Sequence, residues 1–206
     1  HYVIPFFFAE DYTRCLPLVA LQYHDVEIRI KCRDGYTPAG TPKIWGNYIY
    51  LDTEERKFFT DNEHDLLFTQ TQHQLATSTD TEIDLTYFNH PVKSIHLVSG
   101  KATGNDWDSE FTFSKSSLYI NGTPLFEETS PVYHHTVVPE MHSSDLPDDI
   151  IEDLPTFTWP FCLSLSRSNP TGTLNLSRID NATRAITGPS GGKHLHHVYA
   201  VNLALI

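Results

Sequence analysis

The chain is short of sulfur and of positive charge. Its three cysteines, Cys15, Cys32 and Cys162, are odd in number and far apart. That excludes a disulfide framework and leaves no thiolate spacing for a zinc site. Sparse cysteine of this kind suits assembly in a reducing compartment. Lys and Arg total 14 against 26 acidic residues, for a formal net charge of −12. No Lys/Arg cluster interrupts that balance, and an acidic surface repels phosphates, so direct nucleic-acid binding is not expected. No apolar run approaches the roughly 18 residues of a membrane-spanning helix. The opening His1-Tyr-Val-Ile-Pro-Phe-Phe-Phe lacks the basic start and small-residue cleavage site of a signal peptide. No G-x-S-x-G turn presents a nucleophile. Gly188-Pro-Ser-Gly-Gly192 lacks the Lys-Ser/Thr partner of a phosphate loop and reads as a surface loop. No catalytic residue and no cofactor are assigned, and the chain is read as not an enzyme.

What is present is enough to build a core. Of 206 residues, 39% are hydrophobic, with 12 Phe and 10 Tyr, which fits one domain. The start at His1 and the apolar ending Val201-Asn-Leu-Ala-Leu-Ile206 read as a piece of a longer polypeptide. Strict alternation marks the strands. In residues 18–31, Val26, Ile28 and Ile30 alternate with Glu27, Arg29 and Lys31, which predicts one buried and one wet face. Further strands are predicted at 45–51, 66–75, 83–87, 92–98, 111–113, 118–120 and 157–165. Pro160 places the last of these at an edge or a bulge. Residues 195–206 are apolar on both parities and predict a central strand covered on both sides.

One helix is expected, over residues 52–59. Asp52 stands at its cap, Glu55 at the capping-box position, and the basic pair Arg56-Lys57 follows the acidic pair Glu54-Glu55, the order that the helix dipole prefers. About nine short strands and one helix indicate an all-β antiparallel sandwich or barrel. Long loops at 32–44, 99–110 and 124–156 favour a jelly roll over an immunoglobulin-like sandwich.

Several residue clusters invite sharper readings. The 12 histidines suggest metal binding through His134, His135 and His142, or through His194, His196 and His197. On a strand, however, His194 and His196 share a face while His197 points away. The H-x-H spacing with a following Glu, used by metal-binding jelly rolls, is missing, so no metal site is assigned. Asn121-Gly-Thr, Asn175-Leu-Ser and Asn181-Ala-Thr are glycosylation sequons by pattern. Pro124 makes the first a poor acceptor, and hydrogen bonding within a turn is the expected role of Asn175 and Asn181. The acidic tract 145–153 reads as a solvated loop.

The stretch that organises the sequence lies at 168–183. Asn169-Pro170 initiates a turn and Gly172 supplies backbone freedom. Residues 173–179 then read as a strand, with Leu174, Leu176 and Arg178 on one face and Arg178 placed to pair with Asp180. Asn169-Pro170-Thr-Gly172-Thr, followed by Asn175-Leu-Ser177-Arg178-Ile-Asp180-Asn181-Ala, resembles the signature of the major capsid proteins of nucleocytoplasmic large DNA viruses. Ile4-Pro-Phe-Phe-Phe8 with Leu16-Pro-Leu-Val-Ala-Leu-Gln-Tyr-His24 resembles that family's lead into the second of its two jelly rolls. Tyr48-Ile-Tyr-Leu-Asp-Thr-Glu-Glu-Arg56, Phe88-Asn-His-Pro-Val-Lys93, Leu118-Tyr-Ile-Asn-Gly122 and Tyr199-Ala-Val-Asn202 are similar to further family segments, in family order. The acidic tract and the apolar final strand depart from the pattern.

The resemblance implies that residues 1–206 are the second, C-terminal jelly roll of a double-jelly-roll subunit, with 1–16 as linker and the first jelly roll absent. It implies a structural role in the icosahedral shell of a large double-stranded DNA virus, as homotrimeric, pseudo-hexagonal capsomers. The implied partners are copies of itself, neighbouring capsomers and minor capsid proteins. An internal membrane would be met only indirectly, and assembly would take place in the host cytoplasm. The alternatives are a minor or penton-type capsid protein with the same barrel, or a cupin- or lectin-like module.

Overall fold

The computed structural model describes residues 6–9, 12–32, 35, 40, 43–77, 82–101, 113–142, 156–167, 169–187 and 194–205. They fall into two compact units, His1–Leu66 and Leu67–Ile206.

In the first unit, helix α1 (Thr53–Asp61) forms where its caps direct. The Asp52 carboxylate accepts from the Glu55 amide at 2.9 Å, and the Glu55 carboxylate accepts from the Asp52 amide at 3.0 Å. Together they satisfy two of the donors that a helix start leaves open. Asn62 closes the other end, its side-chain amide donating to Phe58 O at 2.7 Å. Short 3-10 turns occupy Phe7–Ala9 and Tyr12–Arg14. The strands expected at 18–31 and 45–51 are not formed; no described residue of this unit is in a strand. Ile30, Trp45 and Tyr50 are 58%, 89% and 87% exposed. Alternation defines a face but supplies no neighbour, and a strand whose amides find no ladder partner stays solvated.

The second unit is the β-fold. Its strands are β1 (Leu67–Thr77), β2 (Glu82–Asp84), β3 (Pro91–Lys101), β4 (Lys115–Ile120), β5 (Thr123–Thr129), β6 (Thr156–Pro160), β7 (Leu174–Asn175), β8 (Ala182–Thr187) and β9 (His194–Leu205). One sheet runs β1-β9-β3-β6, with β7 also paired to β3; the other runs β2-β8-β4-β5. Every pairing is antiparallel. The chain passes back and forth between the sheets, with its last long strand between β1 and β3. That is jelly-roll topology. Pro160 ends β6, an edge strand, where its missing amide costs no ladder bond.

The core lies between the sheets. Ile95, Leu97, Phe157, Trp159, Val198 and Ala200 face inward from the first sheet, and Ile83, Leu118, Ala182 and Ile186 from the second. Full burial of each large aliphatic or aromatic side chain is worth about 1.5–3 kcal/mol.

Several boundaries differ from the sequence expectation. The strand at 83–87 stops at Asp84, whose carboxylate accepts from the Thr86 amide and hydroxyl at 2.9 and 2.6 Å and turns the chain. The strand at 157–165 stops at Pro160. The loop expected at 124–156 contains most of β5, then a π-helical turn (Tyr133–Val137) running into helix α2 (Val138–His142). The strand expected at 173–179 shrinks to β7 and a 3-10 turn (Leu176–Arg178), because the Asn175 side chain accepts from the Ser177 amide at 3.1 Å. The acidic tract 145–153 and the glycine-rich stretch 188–192 lie outside the described residues.

Candidate functional site

The sequence motifs are held by three clamps, at the start of β3, in the β6–β7 loop and at the β4–β5 turn. At Phe88-Asn-His-Pro-Val-Lys93, Gln72 of β1 grips the Asn89 backbone in both directions: its amide donates to Asn89 O at 3.3 Å and its carbonyl accepts from Asn89 N at 3.0 Å. His90 takes a left-handed conformation at φ 70°. Its amide donates to Ser177 Oγ at 2.7 Å, and its carbonyl accepts from the Leu176 amide at 3.3 Å. Two segments 87 positions apart are thereby tied through both backbone groups of His90.

Lys93 makes the next tie. The β3–β9 register shifts between Val92 and Ser94, and such a bulge re-aims the side chain of the extra residue. The buried Lys93 ammonium donates to Leu165 O at 2.8 Å and Arg167 O at 3.0 Å, while its own carbonyl accepts from the Phe161 amide at 2.9 Å. It thus holds the loop leading to Asn169-Pro170. Thr171 Oγ1 accepts from the Ser164 amide at 2.9 Å across the same loop. Burial pushes the nearby Cys162 thiol up in pKa, against the opposing pull of Lys93. Gly172 sits at φ 151°, and a Cβ there would lie 2.8 Å from Phe161 O; only glycine permits both the backbone angle and the approach.

A third clamp joins the β4–β5 hairpin to the start of β8. Asn121 and Gly122, at φ 49° and 78°, make the two-residue turn that Asn-Gly favours. Asn121 N donates to Asn181 O at 2.7 Å, and Asn181 N donates to Asn121 Oδ1 at 3.1 Å. Thr183 Oγ1 donates to Asn181 Oδ1 at 2.8 Å. The side chains of Asn121, Asn175 and Asn181 are all engaged with neighbouring groups. Asn169, Pro170, Arg178 and Asp180 are exposed. The expected pairing of Arg178 with Asp180 is absent among the described residues, because the 3-10 turn removes the strand parity that would have aligned them.

The core beneath carries polar groups that the sequence pattern does not reveal. Arg184 is 1% exposed, its guanidinium 3.9 Å from the Trp159 ring centroid and 5.7 Å from that of Phe113. None of its guanidinium nitrogens has a hydrogen-bond partner among the described residues, and burial lowers its pKa to about 9. Parity with Ala182 and Ile186 predicts its inward aim, but nothing in the pattern announces a cation there. His134 stacks on Trp159 at 4.4 Å, and its Nδ1 donates to Thr158 O at 3.0 Å. Burial, with the Arg184 charge adding to it, brings its pKa to about 4. His96 bonds Ser94 Oγ at 2.9 Å and Thr158 Oγ1 at 3.0 Å, and burial brings it to about 4 as well.

Several of the histidines singled out from sequence point to separate places. His135 bonds Thr156 O, His196 is buried inward, and His197 faces outward. Among the described residues, no three His, Cys, Asp or Glu side chains cluster as metal ligands. An open depression of about 550 Å³ beside the Lys93-held loop is lined by Met141, His142, Leu163, Ser164, Ser166, Arg167 and Thr171. The arrangement as a whole fixes loop geometry through backbone-directed bonds.

Comparison with known proteins agrees with that architecture. Residues 55–200 match the family model described as large eukaryotic DNA virus major capsid protein, and residues 2–52 match that of the major capsid protein N-terminus. The chain is 32% identical to the major capsid protein of Pyramimonas orientalis virus, over 97% of this chain and 56% of that protein. It is 25% identical to the major capsid protein of Paramecium bursaria Chlorella virus 1, over 88% of this chain and 53% of that protein. The chain thus spans about half the length of these curated relatives. In structure it is similar to a chain of the PBCV-1 virus capsid, with a TM-score of 0.61 at 20% identity, covering 77% of this chain and 52% of that one. The Faustovirus major capsid protein gives a TM-score of 0.61 at 12% identity, over 76% of this chain and 36% of that one.

Proposed function

Because the chain belongs to the large eukaryotic DNA virus major capsid protein family, we propose that it is part of a shell-forming subunit whose task is structural. Residues 67–206 are the second of two jelly rolls. Residues 2–52 match the N-terminal model, which supports reading them with the first jelly roll. In this reading the stripes around Val26, Ile28, Ile30, Trp45 and Tyr50 are strands awaiting the remainder of that barrel. Exposed apolar side chains in strict alternation support it.

The whole subunit, with two barrels, assembles as a homotrimer of pseudo-hexagonal outline. Closed rotational symmetry buries matching barrel flanks, and the hexagonal outline lets neighbouring capsomers and minor capsid proteins abut. The net charge of −12 suits a shell that does not grip nucleic acid and meets an internal membrane only through other proteins. The protein resides in the virion after assembly in the host cytoplasm and performs no catalysis. The family match over residues 55–200 carries this proposal.

The test is to produce the chain joined to its complete N-terminal portion and measure its mass by light scattering, with electron micrographs of the same sample. A trimer with a hexagonal profile is expected. A monomer at high concentration would overturn the reading.

A further inference from the structure

The outer face of the β1-β9-β3-β6 sheet carries a pair of imidazoles outside every motif described above. Strands β1 and β9 pair without interruption, placing His73 opposite Tyr199 and Leu75 opposite His197. His196, Val198 and Ala200 point into the core, so His197 and Tyr199 point outward. His73 and His197 are therefore diagonal neighbours on one face of adjacent strands. His73 Nε2 lies 3.0 Å from His197 Nδ1. The Tyr199 ring stacks on His73 at 4.8 Å and on His197 at 6.3 Å, and the two imidazoles are within 14° of parallel.

We propose that His73 and His197 form a two-imidazole site for a divalent transition-metal ion of the zinc or nickel type. Metal–imidazole bonds of about 2.0–2.1 Å place two adjacent ligand nitrogens about 3 Å apart, the separation found here. One imidazole hydrogen bond now joins the rings; on metal binding the donor ring carries its proton on its other nitrogen, leaving both lone pairs for an ion seated beside the N–N line. His73 is exposed, which gives an ion a path in, and the chain's negative charge concentrates cations near its surface. Tyr199 fixes both ring planes, so little ordering is left to binding. No third ligand of the usual types joins the pair among the described residues. Water completes the coordination, and such a site binds more weakly than a four-ligand structural zinc.

Binding would also fasten the edge strand β1 to the central strand β9. Titration calorimetry of the whole chain with zinc chloride, and separately nickel chloride, at pH 7.5 tests this. One saturable site is expected in the parent protein, at least tenfold weaker in H73Q and in H197Q, with a metal-dependent rise in melting temperature lost in both. Glutamine keeps size and polarity without a ring nitrogen, and amide exchange of β9 checks that the sheet is intact. If H73Q unsettles β1, H197Q alone decides the matter, since β9 is held on both sides by β1 and β3. No saturable site in the parent, or unchanged binding in H73Q/H197Q, would overturn the assignment and leave an ordinary stacked histidine pair.

Discussion

The two units use the same kind of alternating sequence to opposite ends. In Leu67–Ile206, stripes such as Ile95 and Leu97 meet Val198 and Ala200 one strand away and vanish from solvent. In His1–Leu66, the stripe Val26, Ile28, Ile30 is 48%, 37% and 58% exposed. The difference lies not in hydrophobicity or period but in whether a complementary strand pairs with the segment among the described residues. Alternation buries a stripe only where such a partner is supplied.

Amide exchange on the intact chain would break or sharpen that contrast most strongly. Amides at 18–31 and 45–51 are expected to exchange at near-unfolded rates, while those of β3 and β9 are protected by about 10³-fold or more, the lower bound for a stable small domain. In the two-barrel subunit proposed above, protection at 18–31 should rise while that of β9 is unchanged. Slow exchange at 18–31 in the chain by itself would show that the first unit already satisfies its own backbone.

Acid should act on the second unit through one buried and one half-buried imidazole. His96 and His134 both sit near pKa 4 in the folded protein, against 6.5 for an ordinary histidine. Between those values the unfolded chain binds more protons than the folded one, so stability falls as pH drops. Their contribution is complete above pH 6.5 and lost progressively down to about 4, by up to about tenfold in the unfolding constant per pH unit per histidine. Denaturant midpoints measured across this range should show that slope, with H96Q removing about half of it. An unchanged slope in H96Q would show that His96 titrates normally. For His134, the Arg184 guanidinium within the same core reinforces the trend.

Much of the sandwich was legible because its signals are local. Asp52 and Glu55 sit at cap spacing, and the apolar segments around Ile95 and Val198 meet partners in the same chain. What stayed hidden depends on tertiary placement. Lys93 looks like one more residue of a conventional strand until the bulge at Val92/Ser94 turns it toward the 165–167 carbonyls. Asn175 reads as mid-strand, yet its side chain converts the following residues into a 3-10 turn. The His73–His197 pair joins positions 124 apart, which no local spacing can announce. Residues 18–31 show the converse failure: a clear pattern without a neighbour is not a strand.

The smallest expected effect probes how tightly the motif-bearing loops are held. Gly172 combines φ 151° with a backbone oxygen 2.8 Å from where a Cβ would stand. Gly172→Ala should therefore force the 161–173 loop to shift, at a cost of about 1–3 kcal/mol, the range for a strained backbone position. The loss should appear as a lower denaturant midpoint with unchanged slope, because the surface exposed on unfolding is the same. Faster exchange is expected at the Ser164 amide, whose acceptor Thr171 moves with the loop, while β9 keeps its protection. A Gly172→Ala protein as stable as the parent would show that this loop is free to relax. The strict interlocking would then be confined to the Asn121–Asn181 and His90–Ser177 clamps, which do not depend on the glycine.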